Sequence, residues 1–148
     1  MNPIRRLTLK AGGALAAALV PLRAFAAGWN KDAFGSKTAA DALKSLGAAP
    51  SSETKDIVID APQIAENGAV VPVEVTSNIP GTKSIAVLIE KNPFPLVAQF
   101  DFLEDAVPYV KVNVKVGESS FVRVVAQAGG RNYTASKEVK VTIGGCGG

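Results

Sequence analysis

The sequence predicts a mainly β protein: an Ig-like antiparallel β-sandwich with a short N-terminal helix and a flexible C-terminal arm. Beyond Lys55, apolar and polar residues alternate with a period of two, which is typical of strands with one buried face. About seven such segments follow one another between turn residues, a number and spacing typical of Ig-like domains. Helical periodicity is confined to the Ala-rich stretch 29–47.

One short helix is expected within residues 29–47. Three apolar residues recur there at helical spacing: Ala39, Leu43 and Leu46. Ser36 is a suitable N-cap, and Gly47 suits the position just after the last helical turn. Residues 48–52 have the composition of a turn, so a helix and linker are predicted over residues 27–54.

The sandwich is predicted to occupy residues 55–143. Its strands are rich in valine and isoleucine, and Pro or Gly residues separate them. The predicted strands cover residues 56–59, 71–75, 85–89, 96–102, 110–116, 122–124 and 139–143. Two valine pairs, Val70-Val71 and Val124-Val125, put apolar side chains on both faces of a strand, which favours an apolar sheet face that binds a partner.

The first 26 residues have the pattern of a cleaved export signal. A basic start precedes an apolar run over residues 11–22, and Ala24-Phe25-Ala26 forms a small-residue cleavage site. Arg5 and Arg6 resemble the twin-arginine pattern of proteins exported in the folded state, although paired arginines also occur in ordinary secretory signals. The apolar run is shorter than the roughly 20 residues that span a bilayer, so a periplasmic protein without a membrane anchor is expected.

Composition excludes several functional classes. The chain of 148 residues has no histidine and one cysteine, so it cannot form a Ser-His-Asp unit, a His-ligated metal site, an internal disulfide or a thiolate metal cage. Residues 1–26 carry four of the 16 basic residues and no acidic one, so the remaining 12 basic and 13 acidic side chains give a net charge of −1. Binding of nucleic acid through a general basic field is therefore not expected. The sequence predicts a protein without catalytic machinery or a cofactor of its own.

The candidate functional site is the C-terminal segment Gly144-Gly145-Cys146-Gly147-Gly148. Glycine removes steric restriction and packing, so residues 144–148 are predicted to form a flexible arm. From Ile143 to Cys146 the extended chain reaches roughly 10 Å, at about 3.3–3.6 Å per residue. The thiol of Cys146 can therefore enter the pocket of another protein. No neighbouring side chain in the sequence activates this thiol, so the enzyme whose site it enters must activate it.

Three interpretations of this cysteine remain open on the residues alone. It can be an inert thiol at a chain end, it can join two structural β-sandwich modules through a disulfide, or it can be a covalent carrier. A terminal Gly147-Gly148 also occurs in ubiquitin-like sulfur carriers that are activated at the carboxylate, but that activation needs ATP and a fold with more helix. The carrier interpretation on Cys146 is favoured, because an exposed thiol in an oxidising compartment is a liability unless it is used.

Several features together resemble the SoxY family, the sulfur-carrier subunits of the periplasmic thiosulfate-oxidising Sox system. They are the closing Gly-Gly-Cys-Gly-Gly, the single cysteine, the twin-arginine-like leader, the N-terminal helix and the following β domain. Two internal stretches, Asn67–Val73 and Asn92–Pro95, also resemble that family. The resemblance covers essentially the whole chain.

The resemblance implies that Cys146 is the covalent attachment point for sulfur intermediates, with Gly144, Gly145, Gly147 and Gly148 as the flexible arm. It implies a heterodimer with SoxZ and transient docking to three enzymes. In that scheme SoxAX couples thiosulfate to the thiol, SoxB removes the terminal sulfonate as sulfate, and sulfur dehydrogenase oxidises the remaining sulfane sulfur. The chain itself would be a carrier and not an enzyme.

Other conspicuous residues are expected to have structural roles. Trp29 and Phe34 are predicted to pack the helix against the core, because single aromatics on an amphipathic segment usually face inward. Glu104-Asp105 is predicted to lie on a solvated loop, and Lys111 and Lys115 on the solvent face of a strand.

Overall fold

A computed structural model describes residues 28–143, in which nine β-strands form two sheets and two short helices cover one of them. Residues 1–27 and 144–148 lie outside the described part, and with them the predicted export signal and arm. The helices are α1 (Lys31–Gly35) and α2 (Ala39–Ser45). The strands are β1 (Ser52–Glu53), β2 (Ile57–Asp60), β3 (Ile64–Asn67), β4 (Val71–Ser77), β5 (Thr82–Ile89), β6 (Leu96–Asp101), β7 (Tyr109–Val114), β8 (Ser120–Ala128) and β9 (Arg131–Ile143).

The two sheets pack face to face as a sandwich. The larger sheet has the order β1-β9-β8-β5-β6, and β3 also pairs with β9. The smaller sheet has the order β2-β4-β7 and is antiparallel. Strands β1 and β3 run parallel to β9 and share one of its edges, β1 beside Tyr133 and β3 beside the Lys140 to Ile143 end. The predicted mainly β fold is confirmed, and the arrangement is consistent with an Ig-like sandwich.

The core between the sheets comes from the period-two pattern. Alternate residues of β4, β5 and β8 point between the sheets and are fully buried. The members of this core on the three strands are Val71, Val73, Val75, Ile85, Val87, Ile89, Val122, Val124 and Ala126. Because these side chains are mostly β-branched, the same residues that favour strand backbone also fill the sandwich.

A second apolar cluster covers the outer face of the larger sheet. Leu88 of β5 and Val125 of β8 point away from the first core and are buried by the helices. On the helix side, Ala33 and Ala42 are fully buried, because small side chains allow the helices to approach the sheet closely. The apolar face to which Val125 contributes is therefore covered by this chain's own helices. The expectation that the Val124-Val125 face binds a partner is wrong.

The helical segment differs from the single helix that the sequence predicts. Ser36 is extended (ψ 141°) and ends α1, whereas Thr38 caps α2 by accepting a hydrogen bond from the Asp41 amide at 3.1 Å. Asn30 caps α1 by accepting from the Ala33 amide at 3.0 Å. The two capping side chains lie eight positions apart and each starts a helix, so the stretch forms two short helices instead of one.

The end of α2 follows the prediction for Gly47. The Gly47 amide donates to the Lys44 carbonyl at 3.0 Å, and the Ala48 amide donates to the Leu43 carbonyl at 2.8 Å. These two bonds form a Schellman motif, which requires a left-handed residue at the position of Gly47 (φ +64°). The turn directs the chain back towards β1.

Two short strands, β1 and β3, were not predicted. β1 has two residues, and it lies in the stretch that the sequence predicts to be a linker. In β3, Ala65 is buried while Ile64 and Glu66 are exposed, so the four residues show too little alternation to be recognised. Both strands form because β8 pairs with one edge of β9 and leaves the opposite edge of this 13-residue strand open to accept them.

The aromatic pair at the start of the helical segment is also placed differently from the expectation. Trp29 is 69% exposed, and its ring stacks on Phe34 with centroids 4.5 Å apart. Phe34 packs against the second cluster. Trp29 therefore covers Phe34 and does not enter the core itself.

The exposed face of the smaller sheet carries a polar cluster. Glu74 of β4 accepts a hydrogen bond from the Tyr109 hydroxyl at 2.7 Å and pairs with the Lys111 ammonium at 2.6 Å. Hydrogen bonds from Lys111 and then Tyr109 hold the pKa of Glu74 below its ordinary value, and the bond to Glu74 raises the pKa of Lys111. The prediction that Lys111 lies on a solvent face is confirmed.

Replacing a core residue tests the packing. Ile85→Ala should lower the free energy of unfolding by about 2–5 kcal/mol, because it leaves a cavity between two sheets that cannot close over it. The measurement is urea denaturation followed by far-UV circular dichroism. Val58→Ala, on the exposed face of β2, is the matched control and should change stability by no more than about 0.5 kcal/mol. Equal losses in the two variants would contradict the described core.

The left-handed residue after α2 gives a second test. Gly47→Ala should lower the free energy of unfolding by about 1 kcal/mol, because an alanine Cβ is disfavoured at φ +64° although the space around it is open. Gly35→Ala, also with open space but without a positive φ, should stay within about 0.5 kcal/mol of the wild type. Differential scanning calorimetry compares the two, and an equal effect would rule out the backbone explanation.

The Glu74 cluster predicts a pH dependence. Because the folded pKa of Glu74 is below its ordinary value of 4.5, the stabilisation from the cluster is present above that value and is lost as the pH falls through the lowered pKa. Lys111→Met should move the Glu74 midpoint upwards in a carboxyl NMR titration, and Tyr109→Phe should move it by less. A midpoint unaffected by Lys111→Met would show that the ion pair does not form in solution.

Candidate functional site

The last strand carries the chain to the predicted arm. Cys146 and the four glycines of the arm lie outside the described residues, as do Arg5 and Arg6. What the structure describes is the root of the arm, where β9 ends at Ile143. The geometry of this root determines where Cys146 can go.

Three loops surround the end of β9. Pairing of Val71 with Val114, and of Ser120 with Val139, places the turns beside these residues at the same end of the sandwich as Ile143. We call this the exit end, and define it by the loops 67–70, 90–95 and 115–119. The segment after α2 lies at the other end, near the β8–β9 hairpin, where Asn132 donates to the carbonyls of Gly47 and Pro50. Between the two helices, the Lys37 ammonium lies 3.5 Å from the centroid of the Phe94 ring, in the exit-end loop 90–95.

β3 holds one edge of the last part of β9. Ile64, Ala65 and Asn67 pair in parallel with Lys140, Val141 and Ile143. Outside the strand pairing itself, the Lys140 amide donates to the Gln63 carbonyl at 2.9 Å, and the Thr142 hydroxyl donates to the Glu66 carbonyl at 3.3 Å. The final residues of β9 are therefore part of the sheet and not of the arm.

Ser119 holds the other edge. Its hydroxyl oxygen accepts a hydrogen bond from the Val141 amide at 2.9 Å. Nothing in the sequence pattern around Ser119 signals this role, because the contact joins residues 22 positions apart.

Two asparagines in the exit-end loops also make specific contacts. The Asn92 side chain donates to the Lys115 carbonyl at 2.7 Å and accepts from the Gly117 amide at 3.0 Å. The Asn67 side chain accepts from the Ala69 amide at 2.8 Å, which closes a tight turn. Both asparagines lie in the stretches that resemble the SoxY family, and Asn-Gly and Asn-Pro are turn signals in any sequence.

The surface of the exit end is mixed in polarity. Val70 is 61% exposed, and Lys91 faces Glu118 at 3.9 Å in a solvent-exposed pair that contributes little to stability. On the larger sheet, Phe121 is also exposed near the start of β8. An incoming protein therefore meets apolar and charged side chains next to the root of the arm.

A cleft of about 830 Å³ lies at the opposite end of the sandwich, between the loops 77–83 and 102–108. Leu103 is 86% exposed at its rim, and Glu104 and Asp105 are exposed as predicted. Pairing of Thr82 with Ala128 places this cleft beside the β8–β9 hairpin, a full strand length from Ile143. It is therefore too far from the root of the arm to receive Cys146 of the same chain.

Among residues 28–143, no group of three or more His, Cys, Asp or Glu side chains is arranged to hold a metal ion. In the same range, no helix is both long and apolar enough to cross a membrane.

Comparison with known proteins agrees with this description. A family model described as "Sulfur oxidation protein SoxY" matches residues 42–146, a range that includes Cys146. The solved structure of the sulfur carrier protein SoxY from Chlorobium limicola f thiosulfatophilum is 44% identical, with a TM-score of 0.62; the match covers 68% of this chain and 92% of that one.

More distant structures share the fold alone. A superoxide reductase (neelaredoxin) from Ignicoccus hospitalis is 22% identical with a TM-score of 0.51, and the match covers 60% of this chain and 81% of that one. Among curated proteins, no sequence matches this chain. The family match over most of the chain and the 44% identity to a solved member establish that this chain belongs to the SoxY family of sulfur oxidation proteins.

Proposed function

We propose that this protein is a sulfur carrier of thiosulfate oxidation, which holds covalent intermediates on Cys146 and presents them to separate enzymes. The observation that carries the proposal is the family match, which extends to residue 146 and so includes the single cysteine of the chain. The 44% identical Chlorobium protein is named a sulfur carrier, which supports the same role here.

The proposed cycle begins with an oxidation. The thiol of Cys146 and thiosulfate form a sulfur–sulfur bond, giving a cysteine S-thiosulfonate with loss of one proton and two electrons. A haem enzyme of the SoxAX type accepts the electrons. Water then cleaves the terminal sulfonate as sulfate, the reaction assigned to SoxB, and a persulfide remains on Cys146.

The second half of the cycle restores the thiol. Oxidation of the outer sulfur of the persulfide with three water molecules, the reaction of a sulfur dehydrogenase, gives a cysteine S-sulfonate and releases six electrons. Hydrolysis of that sulfonate yields a second sulfate and the free thiol of Cys146. The carrier contributes the sulfur atom of Cys146 and presents it to each enzyme. The enzymes supply the electron acceptors and activate the water molecules.

The need for external enzymes follows from the side chains. Without histidine, the chain lacks the residue that usually transfers protons or binds redox metals near neutral pH. An unassisted thiol is also mostly protonated at neutral pH and is a weak nucleophile. We therefore propose that this chain acts as a substrate-bearing scaffold and not as an enzyme.

The reach of the arm determines where the enzymes must dock. Cys146 can lie at most roughly 10 Å from Ile143, at about 3.3–3.6 Å per residue. Any enzyme that reacts with the thiol must come this close to the exit end, where Val70 is exposed. The glycines on both sides of Cys146 keep the segment narrow, which suits entry into a tunnel.

Localisation and the partner subunit complete the proposal. We propose export to the periplasm through the twin-arginine signal around Arg5 and Arg6, and function as a heterodimer with SoxZ. Twin-arginine export carries folded chains, so a partner subunit can be exported together with this one.

The decisive test is the intact mass of the protein isolated from thiosulfate-fed cells, with and without reductant. Reductant-labile sulfur adducts are expected on the wild type and absent from Cys146→Ser, because the hydroxyl cannot form a sulfur–sulfur bond. The serine variant should retain its fold and its partner subunit but support no thiosulfate oxidation.

The same measurement separates the alternative role. A bare thiol under every feeding condition, or a covalent dimer as the sole modified form, would refute the carrier proposal and favour a structural module joined by a disulfide. Ala26→Leu, in the predicted cleavage site, is a further check, because it should retain the unprocessed leader in the mass spectrum.

A further inference from the structure

The last strand is longer than its neighbour at the exit end. β8 begins at Ser120, which pairs with Val139, so β9 continues for four more residues without β8 beside it. The Lys140 amide donates to the Gln63 carbonyl on the β3 edge of β9. Because successive amides of a strand point to opposite edges, the Val141 amide points to the β8 edge. Without a partner on this edge, the end of β9 would be held by β3 alone and would fray more readily.

The Ser119 side chain takes the place of the missing strand. Its oxygen accepts from the Val141 amide at 2.9 Å, where a backbone carbonyl would otherwise be required. Ser119 is half-buried, which limits competition from water for this bond. Together with the parallel strand β3, it holds the end of β9 on both edges.

The exit-end loops in turn hold Ser119 and β3. Asn92 bridges Lys115 and Gly117 and so fixes the loop that leads to Ser119. The Val116 amide donates to the Gly68 carbonyl at 2.7 Å, which joins this loop to the turn after β3. The two stretches around Asn67 and Asn92 therefore form one hydrogen-bonded platform under the end of β9.

We propose that Ser119 is a positioning residue that sets the length of the carrier arm, an inference that rests on the proposed function. With residues 141–143 held on both edges, Cys146 reaches roughly 10 Å from the platform, at about 3.3–3.6 Å per residue. Without the Ser119 bond, β3 alone holds them and they detach more often, and the tether from Lys140 then reaches roughly 20 Å. A longer tether lowers the effective concentration of the thiol at an enzyme docked on the exit end and raises the entropic cost of ordering it. Ser119 thus favours productive encounters without touching the sulfur.

The structural part of the inference is tested without any sulfur chemistry. In Ser119→Ala, hydrogen exchange of the Val141 amide should accelerate by about 5- to 10-fold, the loss expected for one hydrogen bond. Ser119→Thr keeps the hydroxyl and should restore slow exchange. Ser136→Ala, an exposed serine in the middle of β9, is the matched control and should leave the Val141 amide unchanged.

The single cysteine allows a direct measurement of reach. A nitroxide attached to Cys146 should broaden amide resonances mainly in the exit-end loops of the wild type. In Ser119→Ala the broadening should extend further along β8 and β3, because the tether is longer. Unchanged exchange and unchanged broadening in this variant would overturn the inference.

Function is measured with the carrier in complex with its partner subunit. The thiosulfate-coupling enzyme should show a KM for Ser119→Ala raised by about 3- to 10-fold with kcat unchanged, because a longer tether affects encounter and not chemistry. Faster exchange with an unchanged KM would overturn the role in positioning while leaving the carrier role intact. Failure of wild-type Cys146 to accept thiosulfate would refute the proposed function and leave the structural result standing.

Discussion

The structure depends on the burial of β5 and β8 on both faces. Successive residues such as Val124 and Val125 are both buried, one between the sheets and one under the helices, so the middle of these strands has no solvent face. Their pairing supports β9 along its length up to Val139. The helices therefore belong to the core of the domain, because without them the outer face of the larger sheet would expose Leu88 and Val125 to water.

Much of this architecture follows from short-range patterns. The alternation in β4 and β7 and the glycine after α2 are local signals, and each led to the element that the structure contains. The division of the helical segment at Ser36 depends on competition between two caps, which periodicity alone does not reveal. β1 and β3 form because β9 offers an edge to them, so their existence depends on contacts between residues distant in the chain.

The candidate site depends even more on contacts between distant residues, which the sequence pattern does not reveal. Cys146 stands out in the sequence because it is the single cysteine in a glycine-rich end, and its chemistry can be inferred from composition. Ser119 is one serine among many. Its importance comes from the Val141 amide, 22 residues away, which has no strand partner on this edge because β8 begins only at Ser120. Asn67 and Asn92 are recognisable as turn residues, but their common support of the end of β9 appears only when the loops are placed together.

A carrier and an enzyme place opposite demands on a protein. An enzyme fixes its reacting groups within fractions of an ångström, whereas a carrier must release its reacting atom to several partners. In the proposed role, the reach of Cys146 is counted from the point where β9 ends, so the position of Ile143 in the sheet matters to the carrier. The exit-end platform then explains why a polar hydrogen-bonded structure, instead of further apolar packing, is found where the chain leaves the sandwich: hydrogen bonds fix the register and therefore the position at which the strand stops.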